Sequence, residues 1–197
     1  MTRSYTQKRR AEQKAATRRR IVEAAVDLHS TIGPALTSFS MVAERAGVQR
    51  HTLYAHFPDE QSLNMACSGL TLERDPPPDP EPWKALEGAE RLRAGLAAVY
   101  AWYRRNAELL ACVLRDAEYH APTRQISELR FGPVMAAYRE VLGAGLSVTQ
   151  RALLGLALSF HSWRTLVRDE ALDDATAVAV MVHAIASSGE SSGAPSS

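Results

Sequence analysis

Residues 75–82 read Asp-Pro-Pro-Pro-Asp-Pro-Glu-Pro, and no α-helix or inner strand can run through them. Each proline lacks a backbone donor and restricts the residue before it. The stretch is a stiff loop that cuts the chain in two. On both sides of it apolar residues recur at helical spacing. Nowhere does the sequence sustain the strict alternation of a half-buried strand. The fold class that follows is all-α, with a shorter helical region before the prolines and a longer one after them. At 197 residues the chain is long enough to bury a substantial core. Residues 1–16 are polar, basic and poor in apolar side chains, which predicts a flexible basic arm. Residues 188–197, rich in Ser, Gly and Pro, predict a disordered tail.

The net charge of +1 conceals an asymmetry. Residues 1–56 carry ten basic side chains against four acidic ones, so this part is +6 and the remainder −5. A basic front on an acidic body suits a front that meets a polyanion, and a solvated basic tail is the plainer alternative. No stretch approaches the run of about eighteen apolar residues that a membrane-spanning helix needs. The basic N-terminus has no apolar run behind it, so it does not read as a secretory signal. Cys67 and Cys112 form neither a disulfide framework nor a zinc-ligand pair. The expectation is a cytoplasmic protein with reduced thiols, no metal and no cofactor.

Before the prolines, Ile21, Ala25, Leu28 and Ile32 fall on one helical face. Thr17 suits the cap of this helix, and Gly33-Pro34 ends it. A second helix starts near Thr37 or Ser38 and carries Phe39, Val42, Ala43 and Ala46. Gly47 then offers the left-handed residue that a tight helix-to-helix turn requires. Val48 and Leu53 anchor a third helix, which Pro58 closes. Its outward positions are Gln49, Arg50, His51, Thr52 and Tyr54, hydrogen-bonding side chains long enough for base edges and phosphates. Spacing alone also allows an ordinary surface hairpin.

The wording of the segment goes further. From Arg19 to Leu63 it resembles the DNA-binding domain of TetR-family regulators. The residues that carry the resemblance are Ile21 and Ala25, Gly33, Thr37-Ser38, Val42-Ala43, Ala46-Gly47-Val48, Thr52-Leu53-Tyr54, His56-Phe57 and Leu63. The resemblance implies a helix-turn-helix domain at 17–59, a connecting helix at 60–73 and an effector-binding and dimerisation domain at 74–187. It implies that Gln49, Arg50 and His51 face the major groove. Thr52, Tyr54 and His56 would touch phosphate, Thr37 and Ser38 would cap a helix and touch phosphate, and Arg19 joins the expected DNA contacts. Two positions depart from the family pattern. His51 stands where glycine is common, and Glu60 stands where lysine is common, which removes a phosphate contact.

After the prolines the pattern is less specific. Leu92, Leu96, Val99 and Tyr103 form one stripe, and Leu109, Leu110, Val113, Leu114 and Ala117 another. Pro122 and Gly132-Pro133 look like helix breaks. Residues 149–168 read as one helix with Leu153, Leu156, Ala157, Phe160, Trp163 and Val167 on a face and Leu154 and Leu158 on a second strip. The last two helices fit the family's dimer interface, which puts Leu154, Leu158, Val178, Met181, Val182 and Ile185 at the seam. Arg164 shares the face of Phe160 and Trp163, with His161 nearby, and a cation in an apolar stripe needs a partner. That partner is either an acidic residue across a dimer or a ligand. Tyr100, Trp102, Tyr103, Tyr138, Phe160 and Trp163 are the aromatic candidates for an apolar effector pocket, with His161 and Arg164 as polar anchors. Core packing is the plainer role for each of them singly.

Rival functions find little in the sequence. Ser159, His161 and Ser162 do not have the spacing of a nucleophile and its base on a helix. No nucleophile elbow, phosphate-binding loop or His-Glu-x-x-His motif occurs. A sequence-indifferent DNA-packaging role would not need base-length polar side chains at 49–51. The expected function is a homodimeric regulator, a repressor released from a palindromic DNA operator by a small, largely apolar effector, and not an enzyme.

Overall fold

The computed structural model describes residues 2–189, so most of the expected disordered tail at 188–197 lies outside the described residues. The described chain is helical and without a strand, the all-α class the patterns imply. No helix among the described residues is long and apolar enough to cross a membrane. The chain divides into two compact units.

The first unit holds the chain up to Pro76 together with Glu108–Arg130. Helix α1 runs Thr2–Thr31, α2 Phe39–Arg45, α3 Arg50–His56 and α4 Glu60–Arg74. Ile21, Ala25 and Leu28 of α1, Val42 and Ala43 of α2, Leu53 of α3 and Leu63 and Cys67 of α4 close one buried core. A fully buried aliphatic side chain such as Leu53 stabilises by about 1.5–3 kcal/mol. Ser38 caps α2 by accepting from the Met41 N–H, and Asp59 caps α4 by accepting from the Ser62 N–H. The cysteines are buried and unpaired, and burial pushes the Cys67 thiol up to about 12, which keeps it protonated.

Two corrections fall in this unit. The segment 1–16 is expected as a flexible arm, but its described residues, 2–16, are the first half of α1, and Thr17 lies inside the helix rather than at its cap. Ala11, Ala15, Ala16 and the straight-chain Lys, Arg, Gln and Glu side chains are good helix formers, so polarity alone did not mean coil. The unit also reaches beyond 17–59, taking in α4, α6 (Ala107–Ala117) from Glu108 onward, and the start of α7 (Ala121–Leu142). The reason lies at the end of α1. Asp116 of α6 is fully buried and accepts from the Ala35 N–H at 2.9 Å, Tyr119 Oη at 2.8 Å and Arg115 Nε at 2.8 Å. Arg115 in turn donates to the Ile32 carbonyl at 2.8 Å. Gly33 sits against this clasp with φ of 95°, and a Cβ there would run into the Asp116 carboxylate and the Arg115 guanidinium.

The second unit holds Pro77–Ala107 and the chain from Phe131 onward. The proline stretch is extended as far as Asp79, and a 3-10 turn, Glu81–Ala85, begins inside it with Pro82 in its first turn. Helix α5 (Gly88–Arg105) packs on α10 (Asp174–Ser187), which also packs on α8 (Val148–Ala157). The tryptophans at 83, 102 and 163 are all buried in this unit. Pro122 lies in the first turn of α7, where its missing donor costs nothing. Gly132-Pro133 does not interrupt α7, which continues through Pro133 to Leu142. The expected continuous helix at 149–168 is broken instead. After α8 ends, Ser159 caps the short α9 (Phe160–Arg164) by accepting from the Ser162 N–H, and a π-turn follows at Thr165–Asp169.

Candidate nucleic-acid interface

Helix α3 is held by one buried side chain and offers the rest outward. Leu53 is fully buried, while Gln49, Arg50, His51 and Tyr54 are exposed and Thr52 and His56 half-buried. Gly47, with φ of 63°, makes the left-handed turn between α2 and α3, and the Val48 N–H reaches back to the Ala43 carbonyl at 2.9 Å. The Tyr54 ring rests on Phe39 of α2 at 5.1 Å between centroids, which fixes where its ring can point. Thr37 donates to the Gly33 carbonyl at 2.7 Å, leaving Ser38 as the exposed cap beside it. Burial, then the nearby charges of Lys14 and Arg18, lower the pKa of His56 and favour its neutral form.

In the second unit the aromatic side chains form a packed cluster. Tyr103 meets Phe160 edge-on at 5.5 Å and Trp163 at 5.9 Å, and Trp102 meets Phe131 at 5.8 Å. The break between α8 and α9 frees backbone carbonyls, and tyrosines of α5 satisfy them. Tyr100 donates to the Ala157 carbonyl at 3.0 Å and Tyr103 to the Leu158 carbonyl at 2.6 Å. Tyr138 donates to the Pro78 carbonyl at 2.7 Å. Burial raises the pKa of all three phenols. The Trp163 indole donates to Asp174, which also takes the Arg104 guanidinium at 2.6 Å.

Residues 21–65 match the sequence profile of bacterial regulatory proteins of the tetR family. Over these 45 residues the chain carries a tetR-family domain. No curated protein matches it in sequence at a significant level. Its fold is shared by solved structures of low sequence identity. One is a mutant of the HlyIIR protein, 15% identical, covering 87% of this chain and 97% of its own, with a TM-score of 0.65. Another is a Rhodococcus sp. protein assigned to the TetR family of transcriptional regulators, 19% identical over 87% of this chain and 98% of its own, with a TM-score of 0.59. A third is the transcriptional regulator FadR of Bacillus subtilis in complex with stearoyl-CoA, 18% identical over 84% of this chain and 96% of its own, with a TM-score of 0.58.

The expected DNA-contacting residues fall into one group and one outlier. Gln49, Arg50, His51, Thr52, Tyr54 and His56 share α3 or its cap, and Thr37 and Ser38 precede α2. Arg19 lies apart. Its side chain, 69% exposed, pairs with Glu23 on a flank of α1 away from the buried stripe, and Glu23 also takes Arg74. Glu60, the departure from the family pattern, has internal partners. It accepts from Asn64 at 3.2 Å and pairs with His120 at 3.4 Å.

The C-terminal expectations need correction on facing. Tyr100, Tyr103 and Tyr138 spend their hydroxyls on backbone carbonyls, and Trp102, Phe160 and Trp163 are buried core. His161 and Arg164 are exposed, since within α9 they fall about 160° and 100° from the direction of the buried Trp163. The buried cation that asked for a partner is a surface arginine. Leu154, Leu158, Val178, Val182 and Ile185, expected at a dimer seam, are buried within the protomer itself, and Met181 is half-buried. The large apolar side chains that α8 and α10 turn outward are Val148, 84% exposed, Leu156, 56% exposed, and Val180, 45% exposed.

Proposed function

We propose that the protein is a sequence-specific transcriptional repressor that binds a two-fold symmetric operator as a homodimer. The observation that carries this reading is α3, pinned by Leu53 and the Gly47 turn with Gln49, Arg50 and His51 exposed on its first turn. A helix so placed enters the major groove with its N-terminal residues at the base edges. Selection of bound fragments from a random DNA pool should yield paired half-sites about one helical turn apart. Arg50→Ala should lose about tenfold to a hundredfold in affinity at one base position and relax specificity there. Equal affinity for selected and random DNA across a salt series would overturn the reading.

A second copy of the chain is the partner we assign to the outward faces of α8 and α10. Leu156→Arg and Val180→Arg should each turn a dimer into monomers at micromolar concentration in light scattering, with the fold intact by circular dichroism. Val178→Arg should instead unfold the protein, since Val178 is core. A wild-type monomer would refute the interface.

The effector we propose is small and largely apolar, and it binds the second unit. Support comes from the acyl-CoA held by a protein of the same fold and from the aromatic interior of this unit. A ligand lowers operator affinity only by as much as it prefers a state with the DNA-binding heads wrongly spaced, and operator then weakens the ligand by the same factor. Stearoyl-CoA, used as a probe, should raise Tm and release operator in the same concentration range. If it shifts neither, an acyl-CoA effector is excluded while the DNA reading stands. The protein so read acts in the cytoplasm, by binding rather than by catalysis.

A further inference from the structure

We infer that the first half of α1 is a one-sided clamp on the DNA duplex, in which Arg10 and Lys14, in line with Arg18, hold phosphates flanking the α3 contact. The inference rests on the DNA-binding reading above and adds a second contact surface to it.

Helical register carries it. Ile21, Ala25, Leu28 and Ile32 form the stripe of α1 that faces the core. Counting back along the same stripe by three, seven, eleven and fourteen residues from Ile21 gives Arg18, Lys14, Arg10 and Gln7. At 100° per residue all four lie within about 60° of the Ile21 direction. The helix wall that is apolar where it packs becomes basic where the core ends. Glu12, the acid in this half of the helix, falls about 180° away, and Lys8 and Arg9 fall well over 100° away.

Two contacts fix where the basic stripe begins. The Arg18 guanidinium lies over the Phe57 ring at 4.7 Å, and Phe57 is the C-terminal cap of α3. His56, the last residue of α3, feels the charges of both Lys14 and Arg18. The stripe therefore starts at the C-terminal end of α3 and leads away from it. From Arg18 to Arg10 it covers about 12 Å, the rise of three to four base pairs. Residues 5–16 are all exposed, so this charge stands open to solvent and to a polyanion.

The test uses full-length protein and its selected operator with native flanks. Arg10→Ala with Lys14→Ala should make the log Kd against log salt slope shallower by about 1.8 per protomer. The charge-matched pair Lys8→Ala and Arg9→Ala should leave the slope near wild type. Alanine keeps the helix, so neither pair tests folding. Trimming the flanks from the operator should bring the wild-type slope down to that of the first pair. Equal loss from both pairs would overturn the one-sided clamp and make residues 1–16 a solvated arm. No loss from either would remove the DNA contact, while retained operator preference would leave the proposed function standing. If operator preference itself is missing, the proposed function has failed and this inference fails with it.

Discussion

Asp116→Ala should destabilise the first unit by about 2–4 kcal/mol in urea denaturation followed by circular dichroism. The carboxylate is fully buried yet charged. Burial alone would raise its pKa, but the Ala35 N–H, Arg115 and Tyr119 outweigh that and hold it below the usual carboxylate value. Removing it leaves the Ala35 N–H without its acceptor and the Arg115 guanidinium beside an empty site. Asp116→Asn keeps the shape and one acceptor oxygen, so it should recover part of the loss. Gly33→Ala should weaken the same joint from the other side, because the left-handed backbone and the space filled by Asp116 both exclude a side chain. A loss below about 0.5 kcal/mol in all three variants would show that the clasp adds nothing to the fold.

Acid should destabilise the protein well before its carboxylates titrate, and His29 should be the cause. This side chain is 5% exposed, and burial lowers its pKa to about 4 against the opposing pull of Asp116. An unfolded histidine titrates near 6.5. Between those two values the unfolded chain holds a proton that the folded chain refuses, so stability falls as pH falls. The fall begins near pH 6.5, saturates below about pH 4 and totals about 3 kcal/mol. Above pH 6.5 the group contributes no slope. The lowered Asp116 acts below this window, so it does not mask the effect. His29→Gln should be less stable at neutral pH by its packing loss but flatter between pH 6.5 and 4. Parallel stability curves for the two proteins over that interval would rule out the assignment.

The helix-turn-helix was legible in the sequence because its determinants are local. Ala43, Gly47, Val48 and Leu53 lie within eleven residues of one another, and each has one chemical task that only a few residue types perform. What lay beyond it needed tertiary information. Leu154, Leu158, Val178 and Ile185 are apolar whether they face a partner or the protomer's own core, and periodicity cannot say which. Positions that do face outward, Leu156 and Val180 among them, are no more apolar than their neighbours. Ser159 had the chemistry of a helix cap, but an unbroken apolar period from 153 to 167 hid it. The period is accidental, since the two helical pieces face differently. Asp116 gave no signal at all. An aspartate near the end of an amphipathic helix looks like a surface residue until Gly33 and Ala35, some eighty positions away, are brought to it. The basic stripe of α1 was readable in principle, because it continues the spacing of Ile21 and Ala25. It is hidden by the polarity of residues 2–16, which gives no apolar period to mark them as helix.

The placement of the tryptophans gives the two units separate optical signatures. Trp83, Trp102 and Trp163 all belong to the second unit and are buried there, while the first unit has none. Emission excited at the red edge of indole absorption therefore reports the second unit alone, whereas helix content reports both. If the units melt together, the two signals will trace one transition in every variant. If they melt apart, Asp116→Ala will move the loss of ellipticity and leave the emission midpoint in place. A tryptophan introduced at an exposed site of α3 would then stand alone in the first unit, against an otherwise silent background, and its quenching would record the arrival of DNA.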